Sequence, residues 1–101
     1  MKKLPISCFI IAKNEAARIE KTIKSAIDIV DEVIVIDSGS TDGTQKIASD
    51  LGCFVKTNAW SGYGQQKRFG EESCRNDWLL NLDADEHLTK EVKNEIIKLF
   101  E

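Results

Sequence analysis

The stretch EVIVIDSGSTDGT, residues 32–44, decides the fold. Its first half is a short β-branched run headed by one charge, the composition of a strand buried on both faces. At Asp37 the run stops, and SGSTDG supplies turn and cap residues instead of apolar ones. Asp42, with Gln45 three residues on, forms a candidate capping pair for a helix. That helix is expected to run to about Leu51, with Ile47, Ala48 and Leu51 inward and Gly52 as its stop. A buried strand that feeds a helix through a polar turn is half of a βαβ unit.

The pattern repeats on both sides. Ile6 to Ala12 (ISCFIIA) is another nearly continuous apolar run and reads as the first strand. Between the two strands, Ala16, Ile19, Ile23, Ala26, Ile27 and Val30 recur at helical spacing, with Glu20, Lys21 and Lys24 opposite, which predicts a helix over 15–29. Cys53 to Val55 is a short third strand, and Lys56 to Gly64 a loop holding Trp60, Gly62, Tyr63 and Gly64. A polar helix is expected over 65–74, and Trp78 to Leu82 (WLLNL) is a fourth strand. Thr89 can cap a last helix with Val92, Ile96, Ile97 and Phe100 on its inner face. Strict alternation predicts an α/β, Rossmann-like fold: a mainly parallel sheet with right-handed crossovers and helices on both faces.

With 101 residues, 31% of them charged and 42% hydrophobic, the chain fits one small globular domain. A net charge of -3 gives no basic field for nucleic acid. No apolar run approaches the roughly 18 residues that span a bilayer. MKKLPISCFIIAKNE has the outline of a leader, but Pro5 interrupts it and Lys13-Asn14-Glu15 follows without a small-residue cleavage site. Cys8, Cys53 and Cys74 are far apart and odd in number, which argues against a disulfide framework or a zinc site. Three buried thiols and a reducing, cytosolic compartment are expected.

In a parallel sheet, ligands bind outside the carboxyl ends of the strands. Acidic residues gather at that edge: Glu15 after the first strand, Asp37 after the second, and the cluster of LLNLDADEHL (79–88) after the fourth. Asp83 and Asp85 are two apart, so in extended backbone both carboxylates share a face. Such a pair suits Mg²⁺ or Mn²⁺ completed by a bridging ligand such as a diphosphate; the other reading is a solvated acidic turn that includes Glu86. Asp37 can accept from a base N–H or a ribose hydroxyl, or it can bond back to the amides of its own turn. Glu15 suits a ligand or simply the first turn of a helix. Lys67 and Arg68, in GYGQQKRFG, can meet phosphate or form a solvated helix face. His87, the single histidine, is open to metal, acid–base or plain surface roles. Trp60 and Tyr63 can stack on a ring or anchor their loop.

Three motifs therefore stand in order: IIAKNE (10–15), VIDSGSTDGT (35–44) and LNLDADE (80–86). Together they resemble the amino-terminal half of family 2 glycosyltransferases, which have the GT-A fold, and the likeness covers nearly the whole chain. GYGQQKR and DWLLNLDADE are most similar to lipopolysaccharide-core glucosyltransferases. The resemblance implies transfer of sugar from a nucleotide-diphospho-sugar, usually a UDP-sugar, to a glycan or lipid-linked acceptor in surface-polysaccharide synthesis, at or near the inner face of the cytoplasmic membrane. It implies that Asp37 contacts the base, that Ala12, Lys13 and Glu15 line the nucleotide pocket with Ser38, and that Lys67 and Arg68 belong to the donor site. Asp83 then lies near ribose and metal, and Asp85 holds a Mn²⁺ or Mg²⁺ bridging the diphosphate. Members of the family continue well past the DxD strand into a part with acceptor contacts and the catalytic base, so no residue here is assigned as general base. A donor-binding remnant without turnover is the alternative. Other nucleotide folds lack their marks: KNEAAR stands where a dinucleotide-binding GxGxxG would be, and no P-loop is present.

Overall fold

A computed structural model describes residues 3–101; Met1 and Lys2, the head of the segment weighed as a leader, lie outside the described residues. Strands and helices alternate as β1 (Leu4–Ala12), α1 (Ile19–Ala26), β2 (Val30–Asp37), α2 (Thr44–Asp50), β3 (Phe54–Thr57), α3 (Tyr63–Glu72), β4 (Trp78–Asp83) and α4 (Lys90–Leu99). The strands form one sheet in the order β3-β2-β1-β4, and every pairing is parallel. The order reverses between β1 and β4. At such a switch point the two flanking connections leave in opposite directions and open a crevice at the carboxyl ends of the strands.

Alternating side chains of the central strands feed two separate cores. Cys8, Ile10 and Ala12 of β1 and Val33 and Val35 of β2 pack with Ile19, Ile23 and Ala26 of α1 and Ala48 of α2. Ile96, Ile97 and Phe100 at the end of α4 join this face partly buried. On the other face Phe9, Ile34 and Ile36 meet Phe69 of α3 and Cys74 beyond it. The α/β architecture with helices on both faces is therefore as predicted, three helices on one side and one on the other. The single helix sits close: a Cβ on Gly70 would come within 2.5 Å of the Phe9 ring.

Several boundaries differ from the spacing. The first helix begins at Ile19, not Glu15, because Asn14 takes a left-handed φ of 53° and residues 15–18 form a turn. The third starts two residues early, at Tyr63, directly after Gly62 at φ 115°. Asp42 and Gln45 do not form a capping pair. Gly43, at φ 92°, occupies the cap position of α2, so Asp42 is outside the helix and Gln45 turns back to Asp37. Thr89 does cap α4, accepting from the Val92 amide at 3.2 Å, but Val92 itself is exposed. Cys8 and Cys53 are buried, whereas Cys74 is only partly so.

Candidate functional site

Two loops close the carboxyl edge of the sheet, and most of their polar atoms fasten them to each other. The Asn14 amide donates to Ser40 Oγ at 2.8 Å, and Asn14 Oδ1 accepts from the Thr41 amide at 2.8 Å. The Glu15 amide donates to Thr44 Oγ1 at 3.0 Å, and the Ala16 amide to Asp42 Oδ2 at 3.1 Å. The side chains that make KNE and STDGT distinctive thus satisfy amides in the turns before α1 and before α2. Hydrogen bonds from Thr44, its hydroxyl first, and from the Ala16 amide hold Asp42 below the usual carboxylate range.

Asp37 lies under this arrangement, fully buried. Its Oδ2 accepts from the Gly39 amide at 2.9 Å, the Ser40 amide at 2.7 Å and Gln45 Nε2 at 2.8 Å; its Oδ1 accepts from Ser40 Oγ. Gly39, at φ 108°, permits the tight return. Of the two uses open to Asp37, the structure displays the bond back to its own turn.

The crevice predicted by the strand order opens beside that turn. Its walls come from Ile11, Ala12, Lys13 and Glu15 after β1, Ser38 after β2, Trp60 and Tyr63 before and in α3, and Asp83, Ala84 and Asp85 at the end of β4. Its volume of about 540 Å³ falls in the range of roughly 300–1,000 Å³ typical of small-ligand sites. Six expected residues, Ala12, Lys13, Glu15, Ser38, Asp83 and Asp85, meet here. Lys67 and Arg68 do not: Lys67 is exposed on α3, and Arg68 lines a separate groove with Asn58 and Gln65. His87 lines another groove, beside Lys21 and Lys24.

The two DxD carboxylates are exposed, while Ala84 between them is buried in the core. Asp83 Oδ1 accepts from the Tyr63 hydroxyl at 3.3 Å, and Glu86 is spent on the turn, accepting from the Asp83 amide at 2.8 Å. Opposite them Arg18 grips Glu15 through two hydrogen bonds of 2.9 and 2.8 Å. Glu15, and more weakly Asp85, raise the Arg18 guanidinium above its ordinary value. Lys13 reaches over Gly39, its Nζ 3.8 Å from where a Cβ there would stand. Among the described residues no group of three or more His, Cys, Asp or Glu side chains could hold a metal ion by itself. Two hard oxygen ligands beside a lysine fit a Mg²⁺ or Mn²⁺ that keeps water and takes further oxygens from a phosphate-bearing ligand. Trp60 and Tyr63, both about half exposed with ring centroids 6.4 Å apart, form an aromatic wall rather than a buried anchor.

Sequence reasoning missed Arg18 and the pair of half-buried Asn58 and buried Gln66, whose side-chain amides bond at 2.8 Å and join the end of β3 to α3 across the aromatic loop. It also missed Thr22 and Ser25 of α1, which bond to the acidic loop. The last two pairings join segments more than sixty residues apart, and periodicity within a segment carries no sign of them.

Comparison with known proteins agrees with this fold. The family model for "Glycosyl transferase family 2" matches residues 7–101. An uncharacterized glycosyltransferase of Rickettsia bellii is 58% identical over 95 residues, covering 94% of this chain and 32% of the relative. A lipopolysaccharide core biosynthesis glycosyltransferase, LpsC, of Rhizobium meliloti is 42% identical over 96 residues, 90% of this chain and 35% of the relative. Among solved structures, glucosyl-3-phosphoglycerate synthase of Mycobacterium tuberculosis bound to UDP superposes with a TM-score of 0.73 at 32% identity, over 80% of this chain and 34% of that one. The same enzyme bound to Mn²⁺, UDP and glucosyl-3-phosphoglycerate gives a TM-score of 0.72. The chain thus spans about a third of the length of the relatives it matches.

Proposed function

This chain belongs to glycosyl transferase family 2, and from that premise we propose that its cleft binds the nucleotide-diphospho-sugar donor of a glycosyltransferase. The carrying observation is the meeting of Lys13, Asp83 and Asp85 at the β1/β4 switch point. On this reading Asp83 and Asp85 hold a divalent cation, Mn²⁺ or Mg²⁺. Such a cation offsets charge developing on a departing nucleoside diphosphate. Lys13 adds a point charge for phosphate, Ser38 and Ala12 shape the pocket floor, and Asp37 keeps the Ser38 turn in place. Exposed Lys67 and Arg68 are left to the margin of the site.

UDP is the donor base we favour, because the mycobacterial synthase is seen with UDP and with UDP-glucose. A glycan or lipid-linked acceptor in lipopolysaccharide-type synthesis is favoured by the LpsC relative. A cytoplasmic setting at the membrane face goes with such an acceptor; among the described residues no helix is long and apolar enough to cross a membrane. Neither Glu86, committed to the turn, nor His87, outside the cleft, is placed to deprotonate an acceptor. Donor binding is therefore the share of the reaction assigned to these residues.

Calorimetric titration of UDP and UDP-glucose into the chain, with Mn²⁺ and then with EDTA, tests the reading. Binding that Mn²⁺ strengthens, with that enhancement lost in Asp85→Ala, is expected. A folded chain that binds neither compound under either condition overturns it.

A further inference from the structure

The acidic loop after β4 does not hold itself. Its backbone is moored to one face of α1, across more than sixty residues of sequence. Thr22 is buried in that helix, and its hydroxyl donates to the Ala84 carbonyl at 2.9 Å. Three residues on, Ser25 Oγ accepts from the Leu88 amide at 2.9 Å and donates to the Thr22 carbonyl at 2.7 Å. Residues three apart on a helix share a face, so Thr22 and Ser25 grip the loop at both ends of its turn, either side of Asp85. Ala84 completes the mooring by packing into the α1 core.

A threonine in a helix interior normally bonds to its own backbone or faces water. Here its single O–H is directed to the Ala84 carbonyl, in one of the two peptide units between the candidate metal ligands. That peptide joins Ala84 to Asp85, so its orientation bears on where the Asp85 carboxylate stands relative to that of Asp83. Cation sites for Mg²⁺-like ions tolerate little error in ligand placement, and ligands need support of this kind to be held within about 0.5 Å.

We propose that Thr22, with Ser25, is a positioning residue for the divalent-cation site, acting through the Ala84 peptide. The inference rests on the donor-site reading above. It makes α1, which contributes no cleft-lining side chain, a determinant of metal dependence.

The test compares the wild-type chain with Thr22→Val, Thr22→Ser and Ser25→Ala. Valine keeps the shape and removes the O–H, and serine keeps the O–H and removes the methyl. UDP affinity is measured by calorimetry with Mn²⁺ and with EDTA, and thermal midpoints are read in parallel. We expect Thr22→Val to lower the Mn²⁺-supported affinity about tenfold while leaving affinity in EDTA unchanged. Thr22→Ser should restore the Mn²⁺ enhancement even where its midpoint falls, and Ser25→Ala should give a smaller loss in the same direction. If Thr22→Val does not fold, the Ser25→Ala result decides. An unchanged Mn²⁺ enhancement in the folded variants overturns the proposal, as does a loss equal with and without metal, which marks a general packing role. A wild-type chain that binds UDP without any response to Mn²⁺ refutes the donor-metal reading itself, a result distinct from either.

Discussion

Asp37 and Asp83 are the last residues of two parallel strands on the same edge of the same sheet, yet they live in opposite conditions. Asp37 is sealed from solvent and accepts four hydrogen bonds from its own turn and Gln45. Asp83 and its neighbour Asp85 are exposed, and among the described residues the one donor to their carboxylates is the Tyr63 hydroxyl at 3.3 Å. A buried carboxylate must have its lone pairs filled, because an unfilled one costs more than the fold can bear. An exposed pair on a cleft wall can leave them open for something that arrives later. Hydrogen-bond accounting therefore separates a carboxylate that builds its own turn from those that, on the proposed reading, are open to a ligand.

The sharpest way to break this contrast is to remove each in turn. Asp37→Ala should take the buried acceptor from the Gly39 and Ser40 amides and from the half-buried Gln45 side chain. At about 1–3 kcal/mol for a buried partner left unmade, the loss should exceed about 3 kcal/mol and be read as a large fall in the urea midpoint. Asp85→Ala should change stability by no more than about 0.5 kcal/mol, while Mn²⁺-dependent UDP binding disappears. A stable Asp37→Ala chain with selectively weakened UDP binding would return Asp37 to the role of base reader that the family resemblance implies.

The architecture was legible because continuous apolar runs and helical spacing alternate without interruption from Ile6 to Phe100. The edge holding the site was legible for the same reason, since a parallel sheet places ligands at one end of its strands. The division of labour within the motifs was not. Ser40, Thr41 and Asp42 read as turn and cap residues of their own segment, and the structure spends them, with Asn14 and Thr44, on joining two turns to each other. Their partners lie 26 to 29 residues away, a distance over which no local pattern operates. Of the two readings open to Lys67 and Arg68, phosphate contact or a solvated helix face, the spacing could not choose: a helix directs neighbouring side chains to different faces, and Arg68 lines a groove apart from the cleft.

A change remote from both strand ends should sharpen the comparison by touching neither ligand term. Gly70→Ala puts a methyl 2.5 Å from the Phe9 ring, and overpacking of this kind costs about 1–3 kcal/mol. Its urea midpoint should drop while the ratio of UDP affinities with and without Mn²⁺ stays at the wild-type value. A shift in that ratio would mean that α3 carries the aromatic wall into the metal site, so the two ends are not independent.

A smaller effect comes from the interior thiol beside β2. Burial, with the Cys53 and Cys74 charges adding to it, pushes the Cys8 thiol up to about 12 from 9.0. The raised value means that stability is fully present below 9 and is lost as pH rises toward 12. One unit above the ordinary value the loss should be about 1.4 kcal/mol. Urea midpoints should therefore fall on the alkaline side, and Cys8→Ala should flatten that limb while lowering the neutral-pH plateau.

The least of the expected effects tests the contrast on its acid side. Asp42 is a carboxylate of the joining kind, held below the usual range by the Thr44 hydroxyl first and then by backbone amides. A depressed value contributes stability that is present above the ordinary carboxylate range and lost as pH falls through the lowered one. The Asp42→Asn chain, neutral at every pH, should start slightly less stable and lose less between about pH 4 and pH 2. Asp31, lowered by Arg75 at the opposite edge of the sheet, supplies the control: Asp31→Asn should flatten the same limb and leave the site untouched. If Asp42→Asn also weakens Mn²⁺-supported UDP binding while Asp31→Asn does not, the joined turns do more than hold shape. The charge of Asp42 would then be part of the field the donor meets, and the line between building and serving would pass inside the STDGT motif.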